Sequence, residues 1–134
     1  MFMTMERLIQ DAKEDLWDWA LDNPHMIESG NDDGQIHEIA DSFVPVYTHD
    51  LLSLFIDDTS LAYETPEEYG YGNAGNSVAG MAQVIVYEKL VEALNEEWLE
   101  LKDAYRKYDD YRAKCEDEGT EPMTFREWYD KGNY

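Results

Sequence analysis

Basic residues and cysteine are scarce in this chain of 134 residues. Ten lysines and arginines stand against 31 aspartates and glutamates, a formal charge of −21. A nucleic-acid or anionic-membrane partner needs a basic surface that displaces counterions, so both are excluded as ligands. The one cysteine, Cys115, has no intrachain disulfide partner, and nothing argues for an oxidising compartment. No segment approaches the ~18 consecutive apolar residues of a membrane span. The start, Met1-Phe2-Met3-Thr4-Met5, runs into an amphipathic pattern without a cleavage site. These absences read as a soluble cytoplasmic protein. Disorder, the usual fate of so acidic a chain, is excluded by what is present: 43% hydrophobic residues and 13% aromatics, enough for one domain with a modest core.

The pattern is helical throughout, with no clear strand, repeat or low-complexity block. Met5, Leu8, Ile9, Ala12, Leu16, Trp19 and Ala20 recur at helical spacing, and Asp22-Asn23-Pro24 ends the run. A loop over 28–34 leads to a second helix at about 35–44, with Ile36, Ile39, Ala40, Phe43 and Val44 on its apolar side. Pro45 breaks it and starts a third helix over about 46–57. Pro66, Gly70, Gly72 and Gly75 mark a loop over 63–76. Asn76 or Ser77 then caps a helix continuing to about Glu116, with Val84, Val91, Leu94, Trp98, Leu101, Tyr105 and Tyr108 on one side. Forty residues at ~1.5 Å each span roughly 60 Å, so the helix is expected to kink or to pack partly on another subunit. Thr124-Phe125-Arg126-Glu127 is a capping box opening a last short helix.

The acids are unevenly spread. Residues 1–68 hold 17 of them against Arg7 and Lys13 alone, a net of −15. Asp11, Glu14, Asp15, Asp18 and Asp22 fall on one side of the first helix, away from its apolar face, with neighbours about 5–6 Å apart. Each such pair costs a few tenths of a kcal/mol. Glu88, Glu92, Glu96, Glu100 and Asp103 repeat the device on the long helix, near Lys89 and Lys107. Glu38 and Asp41 lie on the second helix, and Asp32, Asp33, Asp57, Asp58, Glu64, Glu67 and Glu68 lie elsewhere. Solubility needs less, a net charge of roughly 2–8 with signs mixed. Duplex DNA carries one negative charge per ~1.7 Å of axis, and carboxylate rows on rigid helices present a comparable field to a basic groove. On charge alone, a solvated acidic face or an acidic protein of a high-salt cytoplasm accounts for the pattern more readily than mimicry does.

Chemical motifs are missing. His25, His37 and His49 recur every twelve residues, which is no ligand spacing, and His37-Glu38-Ile39-Ala40-Asp41 has Asp where a zinc-binding HExxH needs its second His. Asn31-Asp32-Asp33-Gly34 resembles the middle of a calcium loop, but Ser29 and Ala40 then occupy its first and last ligand positions. The glycine-rich segment before the long helix lacks the Lys-Ser/Thr of a phosphate loop. No enzyme, metal or cofactor is expected.

One stretch carries a resemblance. Ile36-His37-Glu38-Ile39-Ala40-Asp41-Ser42-Phe43-Val44-Pro45-Val46-Tyr47-Thr48-His49-Asp50-Leu51-Leu52-Ser53 resembles the Ocr family of bacteriophage antirestriction DNA mimics. The likeness runs without gaps through Ile36, His37, Ala40, Asp41, Val44, Pro45, Tyr47, Asp50 and Ser53, is preceded by Asp32-Asp33, and resumes at Val86-Tyr87-Glu88-Lys89-Leu90. It covers about residues 32–100. The resemblance implies an all-α, elongated helical domain over 1–118 with one long C-terminal helix, assembling as a homodimer, followed by a short extension over 119–134. It further implies competition for the basic DNA-binding groove of a host type I restriction-modification enzyme, in the cytoplasm of the infected bacterium. The site would be the acids named above as phosphate mimics: Asp11, Glu14, Asp15, Asp18, Asp22, Asp32, Asp33, Glu38, Asp41, Asp57, Asp58, Glu64, Glu67, Glu68, Glu92, Glu96, Glu100 and Asp103. The family ends in a nearly uniform acidic tail, whereas this chain interleaves Arg106, Lys107, Arg112 and Lys114. A different reading makes the chain an acidic assembly protein of a phage particle, with Tyr105–Tyr111 and Trp128-Tyr129 as its contact surface. A third aims the same mimicry at RNA polymerase or a CRISPR nuclease.

Overall fold

The computed structural model describes residues 4–30, 34–45, 50–51, 54 and 78–132, with side chains from 82 onward in the last stretch. No strand occurs among them, and the described chain is mostly helix. Helix α1 runs Met5–Asp22, α2 Pro24–Ser29, α3 Gln35–Phe43, α4 Val78–Glu118 and α5 Phe125–Asp130. Asp50, Leu51 and Leu54 are also helical, the described part of the helix expected over 46–57. The loop over 63–76 and the caps at Asn76 and Ser77 lie outside the described residues. Among the described residues no helix is long and apolar enough to cross a membrane.

Local chemistry sets the boundaries. The Thr4 hydroxyl accepts the Arg7 N–H at 3.1 Å, satisfying one donor that the first turn of α1 leaves free. At the other end the Asn23 side-chain amide donates to the Trp19 carbonyl at 2.7 Å. Pro24 then stands at the start of α2, a helix the periodicity does not predict. Its ring fixes φ and its missing N–H would have had no helical partner there. Gly119 ends α4 at φ +70, a left-handed conformation that costs a residue with a Cβ, and the Thr120 N–H returns to the Cys115 carbonyl at 2.8 Å. The capping box of α5 forms as expected, with Thr124 Oγ1 accepting from Glu127 N–H and the Glu127 carboxylate accepting from Thr124 N–H, each at 3.2 Å.

The long helix is the spine, and the other helices lie along it. Gln83 and Tyr87 meet α3 and its following turn, since Gln83 donates to the Pro45 carbonyl and Tyr87 pairs with His37. Further along, Glu97 and Trp98 meet Lys13, Trp17 and Trp19 of α1. Tyr105 meets Glu28 of α2, and Tyr105, Tyr108 and Tyr111 meet Phe125 and Trp128 of α5. The helix runs as one element from end to end, and its apolar side is covered by segments of the same chain from Ala82 to Tyr108. Val84 is half-buried, while Ile85 and Val86 point inward with Leu90, Leu94 and Leu101. Among the described residues, Leu99 is the large apolar side chain left outside, 63% exposed.

The segment after Gly119 is seated in this core. Phe125 and Trp128 are 1% and 3% exposed, and Tyr105, Tyr108 and Trp128, which the assembly reading makes a contact surface, are turned inward. Tyr108 donates to the Met123 carbonyl at 2.6 Å, and the Met123 N–H donates to the Tyr111 hydroxyl at 2.9 Å. Removing 119–134 therefore uncovers the far end of α4 as well as shortening the chain. Trp128→Ala is expected to cost about 3–5 kcal/mol in urea denaturation. A cost under about 1 kcal/mol would show the segment to be a loose appendage.

Candidate functional site

The predicted acids are sorted by the helices that carry them. Glu14, Asp15, Asp18 and Asp22 of α1 are exposed and Asp11 is half-buried. On α3, Glu38 and Asp41 are exposed. On α4, Glu92, Glu96 and Glu100 are exposed and Asp103 is half-buried, while Glu88 is also half-buried. Asp32, Asp33, Asp57, Asp58, Glu64, Glu67 and Glu68 lie outside the described residues.

Two of these rows come together. Helix α1 packs against α4, with Lys13 and Trp17 at Glu97, Trp19 at Trp98, and the last turns of α1 near the α5 segment that covers Tyr105 and Tyr108. Trp17 stacks on Tyr129 of α5, ring centroids 4.9 Å apart, in the seam. A shallow cleft of about 350 Å³ opens on one side of that stack, lined by Gln10, Lys13, Glu14, Trp17, Asp18, Leu21 and Tyr129. A second, of about 180 Å³, opens on the other, lined by Trp17, Glu100, Asp103, Ala104, Lys107 and Tyr129. Carboxylates of the α1 row and of the α4 row thus border the same aromatic seam.

Glu97, one residue from the exposed Glu96, has a different task. Its carboxylate accepts the Trp17 indole N–H at 2.7 Å and faces the Lys13 ammonium at 3.5 Å. It joins α1 to α4 and fixes the Trp17 ring. Helical spacing places both Glu96 and Glu97 on α4, but which one turns inward depends on where α1 lies.

Not every acid of the rows is unopposed. Asp11 pairs with Arg7 at 3.3 Å, and Asp103 with Arg106 at 2.5 Å and Lys107 at 3.4 Å. Arg126 of α5 reaches two acids of α1, through Nε to Asp22 at 2.6 Å and Nη2 to Asp18 at 2.9 Å. Hydrogen bonding to Arg126 holds the Asp22 carboxyl below its ordinary value, and the same contacts hold the guanidinium above its own. No lysine or arginine among the described residues pairs with Glu14, Asp15, Glu38, Asp41, Glu92, Glu96 or Glu100. These seven are the predicted acids whose charge no described lysine or arginine offsets.

The far end of α4 holds a structural polar chain. Arg112 donates to the Tyr105 hydroxyl at 3.0 Å and to Asp109, and Tyr105 donates to Glu28 at 3.3 Å. The guanidinium also lies 5.7 and 5.3 Å from the Tyr105 and Tyr108 ring centroids. Burial pushes both tyrosine hydroxyls up, so they remain neutral donors at neutral pH. His37, on the α3 surface, lies 2.6 Å from the Tyr87 hydroxyl through Nδ1. Among the described residues, no group of three or more His, Cys, Asp or Glu is placed to hold a metal.

The Asp22 contact has a pH signature. A carboxyl whose folded value is depressed adds stability above its unfolded value, near pH 4, and loses it as pH falls through the folded value. Glu127, held low by the Thr124 N–H, acts in the same sense. Wild type is thus expected to be more stable than Asp22→Asn in urea at pH 7, with the gap closing as pH falls below about 4. A gap that stayed constant down to pH 2 would show that the Asp22 charge contributes nothing.

No protein-family model, curated protein or solved structure matches this chain, so its function is argued from its own residues.

Proposed function

We propose that this protein is a DNA mimic. It occupies the basic DNA-binding groove of a host enzyme, with a type I restriction-modification enzyme as the first target, and it inhibits by competition rather than by chemistry. The observation that carries the reading is the pair of carboxylate rows on α1 and α4, two helices packed against each other, with Glu14, Asp18, Glu100 and Asp103 bordering one seam. Successive acids Glu92, Glu96 and Glu100 stand one every four residues, about 6 Å of helix rise apart. Fixed rows of charge are what a groove built for phosphates reads, and they displace DNA without any base-specific contact.

The resemblance of residues 36–53 and 86–90 to the Ocr family supports the same reading and adds a homodimer acting in the cytoplasm of an infected bacterium. Within the described part of that stretch, Ile36, Ile39 and Ala40 are buried, whereas His37, Glu38 and Asp41 face outward. The resemblance therefore bears on both the packing and the surface of α3. An aromatic contact surface for phage assembly draws less support, because Tyr105, Tyr108 and Trp128 are engaged in the core.

Each exposed carboxylate is one of many, so the effect is collective. Any single neutralisation among Glu14, Asp15, Glu38, Glu92, Glu96 and Glu100 is expected to change inhibition of a purified type I restriction enzyme by less than about fivefold. Replacing all six by their amides is expected to abolish it, with the helical circular-dichroism signal retained. One neutralisation that alone eliminated inhibition would replace this picture with a discrete site.

A further inference from the structure

Arg126 joins the last short helix to the acidic row of α1. It is one of ten lysines and arginines in the chain, and it is directed at the acidic row of α1 rather than at a local partner. We propose that Arg126 is a built-in countercharge that ends the α1 row at Glu14 and Asp15, and so limits how many carboxylates α1 offers to a basic partner. The proposal rests on the acidic-face reading above and specifies how that face is bounded.

Three observations support it. First, the guanidinium is directed at the last turns of α1, with Nε on Asp22 at 2.6 Å and Nη2 on both Asp18 Oδ1 at 2.9 Å and the Asp18 carbonyl at 2.7 Å. One oxygen of each carboxylate is engaged while the Asp18 and Asp22 side chains stay 74% and 63% exposed, so the contact offsets part of their charge without covering either acid. Second, α5 is anchored by other means. Phe125 and Trp128 are buried on either side of Arg126, Tyr129 stacks on Trp17, and the capping box closes the helix start. Third, one turn earlier Glu14 and Asp15 are exposed and meet no described lysine or arginine. Asp11 at the opposite end pairs with Arg7, so Glu14 and Asp15 are the uncompensated acids between two paired ends of the row.

A purely structural role is the competing account. Helix α1 has no basic residue in its last turn, and a cation there favours the helix dipole. The two roles separate in solution. A labelled ten-residue oligolysine is titrated with wild type, Arg126→Gln and Arg126→Lys over a range of salt, with a thermal melt of each protein alongside. Arg126→Gln is expected to bind about two- to fivefold tighter at low salt. Its affinity should also fall more steeply with salt, by about one unit of log–log slope. Arg126→Lys is expected to stay close to wild type. An Arg126→Gln protein that melts as a folded domain yet matches wild type, or binds more weakly, overturns the countercharge role.

Inhibition of a type I restriction enzyme by wild type is measured in parallel. If wild type fails to inhibit while Arg126→Gln still gains oligolysine affinity, the mimicry reading falls and the countercharge stands. If wild type inhibits and Arg126→Gln gains nothing, the countercharge alone falls.

Discussion

Everything in this fold depends on covering one side of a 41-residue helix with a chain that carries a net charge of −21. A helix of about 60 Å is longer than any single short helix can cover. The chain lays its parts end to end along it: α3 and its following turn at Gln83 and Tyr87, α1 at Glu97 and Trp98, α2 and α5 at Tyr105 to Tyr111. Apolar and aromatic residues fill that contact, and among the described residues none of the buried ones is charged. The acids are therefore driven to the outer faces of the same helices. Rigid, outward-facing rows of carboxylate follow from packing, since helical spacing holds them in register once the apolar side is pinned.

Opposite charges appear where they hold elements together. Glu97 serves α4 and α1 at once through Trp17 and Lys13, and Arg126 ties α5 to the last turns of α1. Arg7, Arg106, Lys107 and Arg112 pair three or four residues away along their own helix. Exposed pairs of that local kind add little to stability but remove charge from the surface. The basic residues that break up the second half of α4 thus blunt the acidic field there. In the middle of the helix Glu92, Glu96 and Glu100 keep theirs. The contrast gives the acidic face its limits.

Much of this was legible in the sequence, and the failures have physical causes. Helix α1 was predicted over Met5–Leu21 and runs Met5–Asp22, because its apolar residues recur at 3.6 and Asp22-Asn23-Pro24 cannot extend it. The capping box at Thr124 was legible because it is local chemistry between residues three apart. Helix α2 was not, since six residues hold too few turns for a periodicity to register and its start depends on Pro24. The inward turn of Phe125 and Trp128 was not legible either, because aromatics in a short acidic tail serve equally as core or contact surface until their neighbours are known. Arg126 meets acids 104 and 108 residues away, and Glu97 meets Trp17 80 residues away. No spacing rule reaches so far. The candidate acids on α1 and α4 were legible as rows, but their approach on either side of Trp17 and Tyr129 depends on where two helices distant in sequence pack together.

Mimicry of this kind asks for charge in fixed places rather than for a pocket or a reactive group. The most direct measurement is displacement of a fluorescent DNA duplex from a purified type I restriction enzyme, followed by anisotropy while this protein is titrated in at about 50 and about 200 mM salt. The account predicts near-stoichiometric release of the duplex at the lower salt and much weaker release at the higher. A duplex that stays bound at both, with the added protein folded, would contradict it.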